Sequence, residues 1–418
     1  MVFDLLTDIL IIFTIALIVG MIFNRIKVPP LVAYILTGVI VGPYGLSIIQ
    51  GQEQVKNLAE IGIILLLFTI GLEFSFKDLW KIRLIAIVGG ALQVGLSFAF
   101  FCGLALLLGL PAGQAILMGF LFSLSSTAIV LKILHERGEM DSPHGSIALG
   151  ILIFQDLMAV PMIMAIPFLA SLSLFDPTPL LSVDSLMTLA IQDLIIVLVL
   201  LVSAKWIIPR VMHEIARTRN QEFFLLFVIL VCFGVAWMVS FSGISIAIGA
   251  LFAGLLISGS EYSHQASSIV LPFRDIFTSF FFISIGMLLN LWFVIRNPVI
   301  IIVLVTGILI LKTVIAAAST LLIGQSLRTS ILAGLALCNI GEFAFVLSVP
   351  GKEYGFFSGT SDQFFLAVAV ITMALTPFII SAGPRVADRV CNLPLGNRIK
   401  SGCGVPDQEK NNKLPLTD

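Results

Sequence analysis

Asp156 lies near the middle of an otherwise apolar stretch, residues 146–170, and directly follows Gln155. It is the only charged residue in that stretch. A carboxylate at the centre of a membrane-spanning helix costs at least about 2.5–3.5 kcal/mol on insertion scales, so such residues usually mark a pathway for ions or protons. Asp156 is therefore the first candidate for binding a transported ion.

Clusters of small polar residues interrupt two other apolar stretches. They are Ser123, Ser125, Ser126 and Thr127 in the first stretch, and Asn339, Gly341 and Glu342 in the second. Hydroxyls, and the carbonyls that an unwound helix frees, are hard oxygen ligands that suit alkali cations. Ser and Thr can instead bond back to the preceding turn or help helices to pack, and this reading is favoured for Ser123 alone. The clusters together favour a cation site at two broken helices.

Lys312 is the only basic residue well inside the apolar stretches. A buried ammonium needs a partner or must lose its proton, and Asp156 is the predicted partner. Snorkelling of the ammonium to a membrane interface is disfavoured because about a dozen largely apolar residues flank Lys312 on each side. Glu342 has three open roles: it could bind the cation, relay protons, or act as a polar brace between the two interrupted helices.

The composition places these residues in a polytopic α-helical membrane protein. Hydrophobic residues make up 59% and charged residues 11% of the 418, and the mean hydropathy is +1.11. A soluble domain would carry about a quarter charged residues. Continuous apolar runs near 20 residues exclude a porin-like barrel, whose strands alternate over about 10 residues. No nucleophile–base pair or metal cluster indicates an enzyme. We expect the lipid bilayer as the chain's surroundings, no nucleic-acid partner and no cofactor.

Thirteen apolar segments are predicted to span the membrane. They run over about 5–23, 30–46, 57–74, 83–109, 112–134, 146–171, 186–209, 223–241, 243–258, 270–294, 298–323, 329–350 and 362–383. With the N-terminus outside, 19 of the 23 Lys and Arg residues fall in cytoplasmic segments and three fall outside. This bias follows the positive-inside rule and predicts a cytoplasmic C-terminus, in the inner (plasma) membrane of the cell.

An internal repeat relates the two halves of the chain. A shift of 215–216 residues superposes four pairs of landmarks: Gly38 on Gly254, Gly71 on Gly286, Gly119 on Gly334 and Pro161 on Pro377. The shift equals seven predicted helices, an odd number, so the two copies have opposite orientations in the membrane. Inverted six-helix repeats of this kind are typical of secondary transporters, whose sites lie where helices break near mid-membrane.

The motifs together resemble the monovalent cation:proton antiporter-2 family, in its Kef-type potassium branch. The likeness covers essentially residues 1–386 and rests on these motifs, in order: Gly71-Leu72-Glu73, Ser125-Ser126-Thr127-Ala128, Glu136-Arg137, Phe154-Gln155-Asp156-Leu157 and Gly341-Glu342-Phe343-Ala344-Phe345. It implies a sodium/proton-antiporter-like fold with crossed discontinuous helices. It also implies that Asp156 carries the cation and the proton, and that Lys312 is its partner.

The resemblance further implies a homodimer in which dimerisation helices lie beside a mobile core. On this chain the core would comprise about 83–171 and 298–383, the dimerisation helices about 5–74 and 223–294, and a linker helix 186–209. Two features depart from the related proteins. Sodium antiporters carry two adjacent aspartates where this chain has Gln155 before Asp156. Kef systems append a nucleotide-binding domain, whereas residues 387–418 read as a short polar tail, so a regulatory domain or subunit would be absent from this chain.

The function expected from these features is exchange of K⁺, or Na⁺, for H⁺ by alternating access. One carboxylate without a second acid beside it predicts one proton per cation and electroneutral transport. A gated cation channel, with Asp156 as its selectivity charge, is the main alternative. An anion or organic-acid symporter would need basic residues near mid-membrane, where only Lys312 is available.

Overall fold

The computed structural model describes residues 2–25, 28, 30–49, 52–73, 84–173, 202–241, 246–356 and 359–392. All regular structure in these ranges is helical. The helices are α1 Val2–Arg25, α2 Pro30–Val41, α3 Gln52–Glu73, α4 Leu84–Leu107, α5 Ala112–Ser123, α6 Thr127–Glu136, α7 Pro143–Ser173, α8 Ile208–Arg217, α9 Gln221–Ser240, α10 Ile246–Ser258, α11 Ser263–Leu288, α12 Leu291–Arg296, α13 Pro298–Leu322, α14 Leu327–Ala336, α15 Glu342–Glu353 and α16 Thr360–Cys391. A short π-helical turn, Ser203–Ile207, leads into α8.

In the described ranges, eight of the α-helices, and α5 and α6 taken together, are long and apolar enough to cross a membrane. Within the described ranges, nine apolar spans of 20 to 32 residues occur, together with three shorter apolar helices, α2, α10 and α14. This pattern makes the chain a multi-pass membrane protein. The predicted segment 186–209 lies largely outside the described residues, as does most of the polar tail, so the predicted number of thirteen spans stays a prediction.

The inverted repeat appears directly in the helix boundaries. Helix α5 begins at Ala112 and α14 at Leu327, while α6 begins at Thr127 and α15 at Glu342, so both pairs start 215 residues apart. The packing repeats as well, because α4 packs on α5 as α13 packs on α14. Each half therefore places one interrupted helix, α5–α6 or α14–α15, at the same position in its bundle.

Two glycine contacts show the same symmetry. Gly38 on α2 faces Gly286 on α11, and Gly71 on α3 faces Gly254 on α10. Replacing each glycine of the first contact by its repeat counterpart gives the second contact. A Cβ atom on Gly38 would lie 2.9 Å from the Cα of Gly286, and one on Gly71 would lie 2.9 Å from the Cα of Gly254. Only glycine allows these helix backbones to touch.

The helices form two groups. The first, called the scaffold bundle here, contains α1–α3 and α9–α11, with α3 packed on α10 and α11. The second, the core bundle, contains α4–α7 and α13–α16. The two bundles meet where α2 touches α16 and α10 touches α7. Large apolar side chains on α9 and α13, such as Leu230 and Ile302, are well exposed, as expected for surfaces that face lipid.

Candidate functional site

The helix α5–α6 is interrupted at Leu124-Ser125-Ser126. Leu124 and Ser126 have extended backbone angles (φ −89°, ψ 143° and φ −79°, ψ 109°), and the Ser126 hydroxyl accepts the N–H of Ile129 at 3.4 Å as the cap of α6. Serine favours such caps because its hydroxyl competes with helical hydrogen bonding. The Ser125 hydroxyl donates to the carbonyl of Leu337 across the crossing, at 2.8 Å, rather than to its own preceding turn. The predicted break is therefore present.

The second interrupted helix, α14–α15, crosses the first at this point. It leaves the helical conformation after Ala336 and resumes at Glu342. The Gly341 N–H donates to the Leu124 carbonyl at 3.2 Å, and the Ser126 N–H donates to Asn339 Oδ1 at 2.7 Å. The unwound backbone of each helix thus supplies partners for the other, as buried backbone groups require. The approach is close enough that a Cβ on Gly341 would lie 2.5 Å from the Ser125 carbonyl oxygen.

Asp156 and Gln155, on α7, contact the first break in different ways. The Thr127 hydroxyl donates to Asp156 Oδ1 at 2.9 Å, at the first residue of α6. Gln155 is buried, and its Oε1 accepts the N–H of Ser125 at 2.8 Å. Asp156 itself is only half-buried. The titratable group is therefore accessible beside a helix N-terminus, whereas its neutral neighbour is part of the packed interior.

Lys312, on α13, is completely buried. Its Nζ donates to the carbonyls of Phe122 at 2.8 Å and Leu124 at 2.7 Å, at the carboxyl end of α5. A cation is favoured there because the last carbonyls of a helix carry partial negative charge. The expected ion pair with Asp156 is not among those formed within the described ranges, and these two carbonyl contacts stand in its place. The unwound turn supplies acceptors that a sequence cannot place.

Glu342 is the first residue of α15 and lies near the N-termini of both α6 and α15. Its carboxyl group lies close to the Ser126 hydroxyl and the Ala128 N–H, at the start of α6. Negative charge is favoured at helix N-termini. Glu342 and Lys312 therefore complement opposite helix ends at the crossing. The Oε2 atom of Glu342 is buried and forms no hydrogen bond with the part of the chain that the structure describes.

Gln93, on α4, joins this network although the sequence reading overlooked it. It is completely buried, its Oε1 accepts from Gln155 Nε2 at 2.6 Å, and its Nε2 donates to the Ser123 carbonyl at 3.3 Å. A signal was present, since Gln93 is the only amide side chain in the apolar stretch 84–107. Thr372 corresponds to Asp156 in the second half of the repeat. Its hydroxyl accepts the Ile340 N–H at 3.4 Å, so it contacts the break in α14–α15.

The chain is similar to known proteins along most of its length. A family model described as the transmembrane domain of sodium/hydrogen exchangers matches residues 11–382. K(+) efflux antiporter 5 of Arabidopsis thaliana is 33% identical over 91% of this chain and 66% of its own length. The glutathione-regulated potassium-efflux system protein KefC of Escherichia coli is 32% identical over 85% of this chain and 57% of its own length. The chain thus spans between 31% and 66% of the length of the curated relatives reported for it.

A solved structure shows the same fold. The sodium proton antiporter MjNhaP1 from Methanocaldococcus jannaschii matches with a TM-score of 0.61 at 16% identity, covering 92% of this chain and 99% of that chain. At this identity the match shows the fold alone, and it confirms the predicted sodium/proton-antiporter-like fold. Together with the match along most of its length, this places the chain in the sodium/hydrogen exchanger family.

Proposed function

We propose that this protein exchanges a monovalent cation, with K⁺ favoured over Na⁺, for a proton by alternating access. The observation that carries the proposal is the Thr127–Asp156 contact at the crossing of two interrupted helices, 2.9 Å long. It joins a titratable, half-buried carboxylate to a hydroxyl ligand at a helix N-terminus. The family and the names of the potassium-efflux relatives support the same activity.

Asp156 is the group that holds either the proton or the cation. The hydroxyl of Thr127 donates to Asp156, whereas the hydroxyl of Ser125 donates to the Leu337 carbonyl and that of Ser126 caps α6. Ser125 and Ser126 therefore contribute chiefly by shaping the break, together with Gln155 and Asn339, which accept their backbone N–H groups. Lys312 and Glu342 support the site by balancing the partial charges at the ends of the interrupted helices.

Electroneutral exchange follows from the number of titratable groups that can change charge with the cargo. Gln155 occupies the place beside Asp156 and cannot ionise, so a single carboxylate alternates between one proton and one cation. Glu342 lies at the N-terminus of α15, where negative charge is favoured, and we assign it to the permanent framework of the crossing. An empty, charged carboxylate is costly to carry through the membrane, and this cost couples the two fluxes.

The larger arrangement is also part of the proposal. The core bundle moves against the scaffold bundle, and the scaffold bundles of two chains form a homodimer. The protein lies in the inner (plasma) membrane with its N-terminus outside and its C-terminus in the cytoplasm. The proposal also includes a regulatory domain or subunit as a partner of this membrane part.

The test is proton movement into liposomes that contain the purified protein, followed with a pH-sensitive dye. Outward gradients of K⁺, Na⁺, Li⁺ and Rb⁺ are compared at constant ionic strength. We expect K⁺ to drive the fastest proton uptake and Na⁺ to drive a slower one. Conduction of K⁺ without coupled proton movement would instead identify a channel and overturn the proposal.

A further inference from the structure

Gln93 is fixed in one orientation by the groups around it. Its Nε2 donates to the Ser97 hydroxyl at 3.1 Å and to the Ser123 carbonyl at 3.3 Å. An amide nitrogen has two hydrogens, and both are used in this way. The Oε1 atom must then face Gln155, whose Nε2 donates to it at 2.6 Å. Side chains of α4 and α7 thus meet the Ser123 carbonyl of α5 in a buried chain of hydrogen bonds.

The orientation of Gln93 determines which end of Gln155 faces the break. Because Gln155 directs its NH₂ group to Gln93, its Oε1 is the atom that meets the Ser125 N–H, at 2.8 Å. The reversed amide would place two donors against each other at Ser125 and leave a buried N–H unpaired. Such an unpaired group typically costs about 1–3 kcal/mol, so the alternative is strongly disfavoured.

We propose that Gln93 is a positioning residue of the cation site, acting through Gln155 to hold Ser125, and thereby Thr127, in register with Asp156. The proposal rests on the exchange function given above. The Oε1 atom of Gln93 bonds to Gln155 rather than to a residue that binds the cation, so its effect on the cation passes through the amide of Gln155 and the backbone of Ser125. Two adjacent residues of α7 then serve the same site: Gln155 holds the break, and Asp156 binds the ion.

The first test is the variant Gln93→Leu, measured for proton exchange in liposomes against K⁺ concentration. Loss of the amide leaves the NH₂ group of Gln155 without its acceptor, so we expect the KM for K⁺ to rise about ten-fold. The matched control is Gln114→Leu on α5, a half-buried glutamine away from the site, for which KM should stay unchanged. A purely structural role of Gln93 would lower the yield or the Tm and leave the KM of the folded protein unaltered.

The second test is a double-mutant cycle of Gln93→Leu with Gln155→Leu. If Gln93 acts through Gln155, adding Gln93→Leu to Gln155→Leu causes little further change in KM. The proposal would be overturned if the two substitutions raised KM by factors that multiply in the double variant. An unchanged KM in Gln93→Leu would overturn it as well. Should Gln93→Leu not fold, Ser97→Ala removes one acceptor of the same amide and should raise KM about two-fold.

Binding of K⁺ to the purified protein in detergent separates this proposal from the exchange function. KCl is titrated calorimetrically against the wild type and the variants, with choline chloride holding the ionic strength constant. A weaker affinity in Gln93→Leu supports the positioning role even if liposome exchange fails for the wild type. Unaltered affinity in a protein that exchanges K⁺ for protons rejects the positioning role alone, and absence of K⁺ binding to the wild type rejects both.

Discussion

At the residue scale, Asp156 and Gln155 are neighbours in sequence with opposite surroundings. Asp156 is half-buried beside the hydroxyl of Thr127, whereas Gln155 is buried and bonded to backbone and amide groups. An α-helix places adjacent side chains about 100° apart, so the pair reaches two environments at once. The ionisable group faces the accessible side, and the neutral one closes the packed side.

Replacing Asp156 by asparagine tests the carrier role. Asn keeps the shape and can still accept the Thr127 hydroxyl, but it cannot exchange a proton for a cation. We expect cation-driven proton flux in liposomes to fall to the level of empty vesicles, with membrane insertion and size-exclusion behaviour unchanged. Asp388→Asn, at an exposed ion pair with Arg328, serves as the control and should retain full flux. Robust flux in Asp156→Asn would remove Asp156 from the mechanism.

Replacing Lys312 by methionine tests its assignment to the helix end. Methionine fills a similar volume but leaves the Phe122 carbonyl without its donor, whereas the Leu124 carbonyl keeps the Gly341 N–H. We expect the free energy of unfolding to fall by about 1–3 kcal/mol, seen as a lower Tm in detergent. Lys56→Met, at an exposed pair with Glu60, should change stability by less than about 0.5 kcal/mol.

Lys312→Met also distinguishes the two possible kinds of partner of Lys312, the backbone carbonyls at the end of α5 and the Asp156 carboxylate. The carbonyl contacts predict that the stability effects of Lys312→Met and Asp156→Asn add independently. A large coupling between the two substitutions would show that the ammonium and the carboxylate pair in the working protein, contrary to this geometry.

At the element scale, the glycine contacts between α2 and α11 and between α3 and α10 hold the scaffold bundle together. Their backbones are close enough that any side chain would displace a helix. The two contacts are related by the repeat, so they should respond alike to substitution. The interrupted helices of the core bundle are related by the same repeat. After each break the helix begins again at an equivalent residue, Thr127 in α6 and Glu342 in α15.

We expect Gly38→Ala and Gly71→Ala to destabilise the protein by similar amounts, about 1–3 kcal/mol each, because backbone must shift to admit the methyl group. The matched controls are Gly95→Ala and Gly103→Ala on α4, where a Cβ would meet nothing within 4 Å. These should be neutral or stabilise by up to about 1 kcal/mol through helix propensity. Thermal unfolding in detergent distinguishes the two sets. Equal losses in all four variants would contradict the packing explanation.

At the scale of the whole molecule, the charges near the crossing determine whether transport is electrogenic. In the proposed cycle one carboxylate alternates its cargo, while Lys312 donates to carbonyls at the end of α5 and Glu342 lies at the start of α15. We expect the exchange rate in liposomes to be independent of membrane potential when the potential is clamped with a second permeant ion and its ionophore. A rate that follows the potential would show that a second group changes charge during the cycle, and Glu342→Gln would then identify it.

Much of the architecture was predictable from the sequence. The long apolar runs predicted a helical membrane protein, and the repeated glycines predicted inverted halves, because helix length and interhelical glycine contacts leave local marks. The break at Ser125 and Ser126 was also predictable from clustered hydroxyls. The partner of Lys312 was not, because the acceptor carbonyls of Phe122 and Leu124 carry no signature in the sequence.

The sequence by itself determined the class of protein, the inverted repeat and the candidacy of Asp156, since a lone charge in a long apolar stretch is visible in the sequence and is costly in a membrane. Only the tertiary structure decided which groups surround that carboxylate. The contacts Lys312–Leu124 and Ser126–Asn339 join residues 188 and 213 positions apart. Such contacts depend on how two interrupted helices cross, and that crossing is settled by packing between helices rather than within any one of them.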